Sequence, residues 1–150
     1  MLEIEVESPR QAEIALLIRQ SDDYLAGLYP PTSRHGIDLE ALAAPNIRLL
    51  VARIDGRAVG CVGFALGAPG EAEVKRLFVL PAARGRGIGR ALMAELEARA
   101  AAAGVGLVQL ETGVKQPEAL ALYRALGYVE RGPFGAYRPD PLCLFMEKRL

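Results

Sequence analysis

The stretch that most restricts what this chain can fold into runs from Ala72 to Ala103. Its first part, Glu73 to Leu80, is rich in β-formers: Val74, Leu77, Phe78 and Val79. Pro81 has no N–H to give a sheet ladder and marks the end of that strand. Arg84, Gly85, Arg86, Gly87, Ile88, Gly89 and Arg90 follow. Leu92, Leu96 and Ala100 then recur at every fourth position, with Glu95, Glu97 and Arg99 off that stripe, which predicts an amphipathic helix. The order is strand, glycine- and arginine-rich turn, helix.

A turn of this composition at a helix start suits an anion. The first helical N–H groups have no intrahelical acceptor. The helix macrodipole adds roughly half a positive charge at that end. Glycines let a phosphate approach the backbone with no Cβ in the way. Arg84, Arg86 and Arg90 add cationic charge beside it. The chemical reading is a diphosphate-binding turn; the plain alternative is a tight connection with solvated arginines. A P-loop is excluded, because the chain has no Gly-Lys-Ser or Gly-Lys-Thr. The dinucleotide pattern G-x-G-x-x-G requires glycine where Arg90 stands, although Glu111 lies at a fitting distance for a ribose-binding acid.

The rest of the chain reads as follows. Leu2 to Val6 alternates apolar and acidic residues and predicts a first strand. Ser8, Pro9 and Gln11 form a helix-start signature, with Ile14, Leu17 and Ile18 as the buried face and an end near Gln20. Asp22 to Gly36 has loop composition, and Pro30-Pro31 excludes helix there. It carries Tyr24, Tyr29, Arg34 and the single histidine, His35, which makes it a candidate for substrate contact. Asp38 to Ala44 predicts a short helix capped by Asp38 and ended by Pro45. Ile47 to Ile54 and Ala58 to Leu66 are strands joined by Asp55-Gly56, a strong hairpin signal. Gly67-Ala68-Pro69-Gly70 turns the chain into the Glu73 strand, so antiparallel strands precede the glycine-rich turn. A dinucleotide fold places that turn after its first strand, so this order argues against it. Gly104 ends the long helix, and Val105 to Thr112 is a strand parallel to Glu73–Leu80 because a helix crosses between them. Gln116 to Leu126 predicts another helix, with Ala119, Leu122, Tyr123 and Leu126 on its apolar side and Gly127 at its end. Tyr128 to Arg131 starts a strand, Gly132 to Pro141 is a loop, and Leu142 to Lys148 is the final strand.

Composition narrows the function classes. The chain has 150 residues, enough for one domain with a real core. Lys+Arg and Asp+Glu are both 18, a net charge of 0, so the arginines of the turn are a local patch and nucleic acid is not an expected partner. No uncharged run approaches the about 18 residues a membrane span needs, so no membrane association is expected. MLEIEVESP has neither a basic region nor an apolar core, so no secretion signal is expected and a cytoplasmic location is. Cys61 and Cys143 sit in apolar strand contexts and read as small core residues in a reducing compartment. With one His and two Cys, no metal site is expected.

The arrangement Arg84-x-x-Gly87-x-Gly89 resembles the acyl-CoA pyrophosphate turn, R/Q-x-x-G-x-G/A, of the GNAT N-acetyltransferase superfamily. Gln116 to Tyr128 resembles that superfamily's second signature, N-x-x-A-x-x-L-Y-x-x-L-G-F/Y, through Ala119, Leu122, Tyr123, Leu126, Gly127 and Tyr128; the usual Asn is Gln116 here. The resemblance covers residues 72–128, and the flanking strands suit the same fold. It implies an α/β (α+β) single domain over 1–150, a central mixed and mostly antiparallel sheet of roughly six to seven strands flanked by about four helices, with splayed parallel strands holding acyl-CoA.

The resemblance also implies roles. The backbone of Leu77, Phe78 and Val79 lies along pantetheine, and the diphosphate falls on Arg84, Gly85, Arg86, Gly87, Ile88, Gly89 and Arg90, with Gln116 a further cofactor contact. Tyr123 matches the tyrosine that faces the sulfur. Acetyl transfer needs a neutral amine, a donor for the developing oxyanion and a proton for the departing thiolate. Glu73 is the candidate base and Glu111 the other. Tyr29, Arg34, His35, Phe134 and Tyr137 are loop candidates for the acceptor pocket, with Glu111 beside them. The implied activity is transfer of acetyl from acetyl-CoA to a primary amine of a small molecule or peptide, with no metal. A non-catalytic acyl-CoA-sensing domain and a dinucleotide-binding module are the alternatives. A homodimer formed across the final strand is open alongside a strand that stays within one chain.

Overall fold

The computed structural model describes residues 1–35 and 37–150. Seven strands form one sheet: β1 (Leu2–Val6), β2 (Ile47–Ile54), β3 (Arg57–Leu66), β4 (Glu71–Val79), β5 (Leu107–Gly113), β6 (Val129–Arg131) and β7 (Cys143–Arg149), in the order β1-β2-β3-β4-β5-β7-β6. The helices are α1 (Ala12–Ala26), α2 (Leu39–Leu42), α3 (Ile88–Ala102) and α4 (Pro117–Ala125). Among the described residues only β4 and β5 run parallel, joined by α3; every other neighbouring pair is antiparallel. This is the mixed, mostly antiparallel sheet expected from the sequence. β7 inserts between β5 and β6 of its own chain, so the final strand needs no partner subunit to find a place.

Alternation along the strands splits the core into two layers, because successive side chains point to opposite faces. Leu49 and Val51 join Ile14, Leu17, Ile18 and Leu42 under α1 and α2. Leu50 and Ala52 join Leu92, Leu96, Ala100 and Tyr123 under α3 and α4. The β2–β3 hairpin turns at Asp55 (φ 50°) and Gly56 (φ 83°), as the Asp-Gly pair requires. No helix among the described residues is long and apolar enough to cross a membrane.

Two boundaries differ from expectation for identifiable reasons. α1 starts at Ala12 with Gln11 as its cap, and Ser8 instead accepts from Arg10 N–H at 3.1 Å in a local turn. A serine cap contributes about 1 kcal/mol, whereas burying Ile14, Leu17 and Ile18 contributes roughly 1.5–3 kcal/mol each; packing places the helix. α1 also continues to Ala26, through residues that read as loop. Ser21 is buried, Asp22 pairs with Arg76, and Tyr24 packs against Phe78 with ring centroids 6.4 Å apart. These contacts extend the helix over β4. The loop expected to end at Gly36 is therefore shorter, and Gly36 itself lies outside the described residues.

β4 carries a bulge. Cys61 opposes Phe78 while Gly63 opposes Lys75, so the register slips between them, and Arg76 takes a left-handed conformation (φ 59°). Arg76 is held there by its side chain, which bonds Ile37 O at 2.9 Å and Asp22, while its carbonyl accepts from the Cys61 thiol at 3.4 Å.

Candidate active site

β4 and β5 part company after three residue pairs: Glu71 with Leu107, Ala72 with Val108, Glu73 with Gln109. Beyond these, β4 runs on to Val79 and β5 to Gly113 without pairing to each other. The divergence opens a cavity of about 490 Å³, closed by α1, the start of α3, α4 and the loop around Arg34. Leu80 N–H bonds Val59 O at 2.8 Å, toward β3. By alternation, the Val79 N–H and C=O face the cavity.

One end of the cavity is the glycine-rich turn. Gly85 (φ 80°) and Gly87 (φ 75°) both need the left-handed region, and a Cβ at either would meet open space. Gly87 is the N-cap of α3, and the first intrahelical bond is Ala91 N–H to Gly87 O at 3.0 Å. The N–H groups of Ile88, Gly89 and Arg90 therefore precede the ladder, and no side chain caps them. Gly89 has a different reason: a Cβ there would lie 3.3 Å from Leu122 of α4, so glycine lets the two helices approach. Arg84 donates its Nε–H to Val79 O at 3.0 Å and stacks over Tyr24 and Phe78 at 5.0 and 5.7 Å. Gly85, Ile88 and Arg90 line the cavity with Arg84, Gly87 and Gly89; Arg86, expected with them, points to solvent and does not. These features suit a diphosphate: unbonded N–H groups, open glycines and two arginines at one helix start.

The other end collects charges and hydroxyls. Glu73 and Lys75 lie two apart on β4, on one face, and form an ion pair at 2.9 Å. The Tyr137 hydroxyl accepts from Lys75 Nζ at 2.8 Å and donates to Glu73 Oε2. Burial raises the Tyr137 phenol, and its bond to Glu73 adds to the rise. Glu73 is thus neutralised in a closed triangle. Glu111 is not. Burial pushes its carboxyl above the ordinary range, opposed by the charges of His35 and Lys75 and aided by that of Glu73. Burial likewise lifts Cys143 to about 12, with the charges of Glu111 and Asp140 adding to it. His35 packs edge-on against Tyr137, with ring centroids 5.4 Å apart.

Tyr123 sits between the two ends, 5 % exposed, lining the cavity from α4. Its ring packs against Tyr128 at 5.8 Å, and its hydroxyl has no hydrogen-bond partner among the described residues. Burial raises its phenol well above the usual value, with the charge of Glu111 adding to the effect.

The cavity thus brings together Tyr29, Arg34, His35, Glu73, Leu77, Phe78, Val79, Glu111, Gln116, Tyr123 and Tyr137 with the turn. Phe134, expected among them, stands behind the wall: it packs on Tyr137 and Phe145 at centroid distances of 5.0 and 6.0 Å and supports Tyr137. Tyr29 is present, but its hydroxyl is occupied, accepting from Lys115 N–H at 2.9 Å and donating to Gln116 Oε1 at 3.3 Å. Its ring lies where a Cβ of Gly113 would be, 1.9 Å from the hydroxyl oxygen, so that glycine admits it. Tyr24, from the segment expected to contact substrate, also lines the cavity, on α1 and not on a loop. Lys75 is a cavity residue that the sequence reading did not name, although its spacing of two from Glu73 was a readable signal.

Comparison with known proteins gives this geometry a class. Residues 13–128 match the profile of the acetyltransferase (GNAT) family. An IAA acetyltransferase of Azospirillum brasilense is 53% identical over 145 residues, 96% of this chain and 95% of that one. The N-alpha-acetyltransferase RimI of Mycobacterium tuberculosis is 36% identical over 129 residues, 84% of this chain and 75% of that one. Among solved structures, a Klebsiella pneumoniae protein assigned as an acyl-CoA N-acyltransferase superposes with a TM-score of 0.84 at 36% identity, over 100% of this chain and 98% of that one. PaiA N-acetyltransferase from Thermoplasma acidophilum, solved in complex with coenzyme A, shares the fold with a TM-score of 0.78 at 19% identity, over 100% and 99%. The chain belongs to the GNAT acetyltransferase family and is an acyl-CoA-dependent N-acetyltransferase.

Proposed function

We propose that the protein moves the acetyl group of acetyl-CoA to a primary amine, with Tyr123 as hydrogen-bond donor to the departing sulfur and Glu111 as the base. Support for the cofactor's position comes from the turn. Its unbonded helical N–H groups, Arg84 and Arg90 suit the diphosphate, and the unpaired stretch of β4 suits an amide-bearing pantetheine arm lying as an added strand. The Val79 N–H faces the cavity and is the donor for the oxyanion that develops on the thioester carbonyl.

The chemistry balances as follows. The amine nitrogen forms a bond to the acetyl carbon, and the carbon–sulfur bond breaks with its electron pair on sulfur. The extra proton on nitrogen passes to Glu111. Burial helps here: a raised carboxyl value brings Glu111 nearer to the proton affinity the step requires. Burial favours the protonated phenol of Tyr123, and the charge of Glu111 adds to that preference. Tyr123 works as a neutral O–H aimed at the leaving sulfur, stabilising the charge as it forms. Glu73, paired with Lys75 and Tyr137, has its charge already spent and acts in shaping the acceptor end.

The observation that carries this reading is Tyr123, a buried side chain on α4 that lines the cavity and whose hydroxyl has no hydrogen-bond partner among the described residues. The test is CoA release from acetyl-CoA with an amine panel, in the protein and in Tyr123→Phe. The expected result is turnover by the former, a loss of about 10²-fold or more in kcat for the latter, and a nearly unchanged Kd for acetyl-CoA. Equal turnover by the two forms overturns the role of Tyr123.

A further inference from the structure

We propose that the amine acceptor also carries an anionic group, a carboxylate or phosphonate, and that Arg34 binds it. This rests on the acetyl-transfer reading above and names the class of its second substrate.

Five lysine and arginine side chains among the described residues border the cavity. Lys75 is committed to Glu73 and Tyr137. Arg76 is committed to Asp22 and Ile37 O. Arg84 is fixed on Val79 O and stacked on two rings, and Arg90 belongs to the helix start at the far end. Arg34 alone of these, among the described residues, lines the acceptor end with no ion-pair or hydrogen-bond partner on its side chain. Its Nε is buried from solvent and unbonded, the one such side-chain nitrogen or oxygen among the described residues.

A buried N–H donor without an acceptor is costly, about 1–3 kcal/mol and more when charged, so native structures seldom keep one without use. A guanidinium is a planar fork whose donors match the two oxygens of a carboxylate or the face of a phosphonate. The backbone fixes where the fork stands. Arg34 closes the single turn Pro31–Ser33, and Ser33 donates to Asp140 Oδ2 at 2.6 Å, which anchors the turn to the segment leading into β7. Glu111 lines the same cavity and forms no ion pair among the described residues. One anion-binding group and one amine-binding group in one cavity describe an acceptor with both charges: an amino acid or an aminoalkyl acid. A peptide N-terminus or a plain amine fills only one of the two.

The experiment compares kcat/KM for three matched sets: an amino acid, its primary amide and its decarboxylated amine; a dipeptide and its C-terminal amide; and aminoethylphosphonate with ethylamine. The expected result is that the anionic amines exceed their neutral partners by about 100-fold, mostly in KM, since an unpaired guanidinium penalises the neutral ligand. A preference within the set assigns the anion, carboxylate or phosphonate. Arg34→Gln is expected to remove that discrimination, slowing the anionic amines and easing the penalty on the neutral ones so that the two classes converge, and Arg34→Lys to restore part of it. Retained stabilisation by acetyl-CoA in a thermal shift shows that each variant is folded. Neutral amines accepted as well as anionic ones overturn the inference while leaving acetyl transfer standing, as does an Arg34→Gln that slows both classes alike. Acetyl-CoA bound with no amine of any class accepted overturns the transfer reading and the inference together.

Discussion

At the turn end of the cavity the groups offered to a ligand come from one run, Arg84 to Arg90, and most are backbone N–H groups. At the acceptor end they are side chains from four separated places: Arg34 and His35, Glu73 and Lys75, Glu111, and Tyr137. The difference teaches where variation is cheap. A ligand held by backbone depends on conformation, which glycines supply, and is little affected by which side chains stand nearby. A ligand held by side chains from distant segments can be changed one residue at a time without disturbing the other end. A family that keeps one cofactor and varies its acceptors is well served by this division.

The sharpest way to break the contrast is Tyr123→Phe, which removes a single oxygen at the junction of the two ends. The expected fall in kcat is about 10²-fold or more, with acetyl-CoA affinity kept, measured by steady-state CoA release beside a binding titration. Stability should hardly change, because that hydroxyl bonds nothing among the described residues.

Glu111→Gln comes next and separates chemistry from folding. A carboxyl raised in the folded state holds its proton more tightly there than in the unfolded chain. Its ionised form therefore costs stability above the ordinary carboxylate range, increasingly so as pH rises through the raised value. Removing the charge should leave Tm at pH 7 unchanged or higher while kcat/KM falls by about 10²-fold. The unaltered protein should lose activity as pH drops through that raised value, and the variant should lose this acid limb. A lowered Tm would show that Glu111 supports the fold and not the reaction.

The turn end should respond to backbone more than to charge. Gly87→Ala forces a left-handed residue with a Cβ, a strain of about 1–2 kcal/mol, which predicts roughly tenfold weaker acetyl-CoA binding. Arg84→Ala removes one bond to Val79 O and two stacking contacts, and should weaken binding by only about two- to fivefold. If isothermal titration reverses that order, side chains dominate the turn end and the contrast fails.

The sequence made the fold legible where signals are local. Asp55-Gly56 located the β2–β3 hairpin, Gly104 and Gly127 stand past the ends of α3 and α4 with φ of 86° and 97°, and the strand alternations were direct. It misread Asp22–Ala26, because only the distant partners of Asp22 and Tyr24 on β4 explain why those residues stay helical. The same limit holds at the site. The turn is contiguous, so its chemistry could be read in order; Arg86 was included because spacing does not say which arginine faces out. The acceptor end is assembled by β4, β5 and two loops. Nothing local told that Tyr137 would bond to Glu73, that Glu111 would be desolvated, or that the Tyr29 hydroxyl would be occupied by Lys115 and Gln116. The left-handed Arg76 at the β4 bulge had no sequence signal at all.

The parting of β4 from β5 has a consequence for the life of the protein in a cell. Sheets ordinarily keep unpaired edges at their rims and guard them, because a bare edge recruits other strands. Here two bare edges lie at the centre of the sheet, and on the acetyl-transfer reading proposed above the cofactor is what covers them. At a hundredfold excess over its Kd such a ligand adds about 2.7 kcal/mol to the folded state. The amount of intact enzyme would then follow acetyl-CoA supply through proteolysis and aggregation of the empty form, so that a starved cell sheds the catalyst along with its substrate.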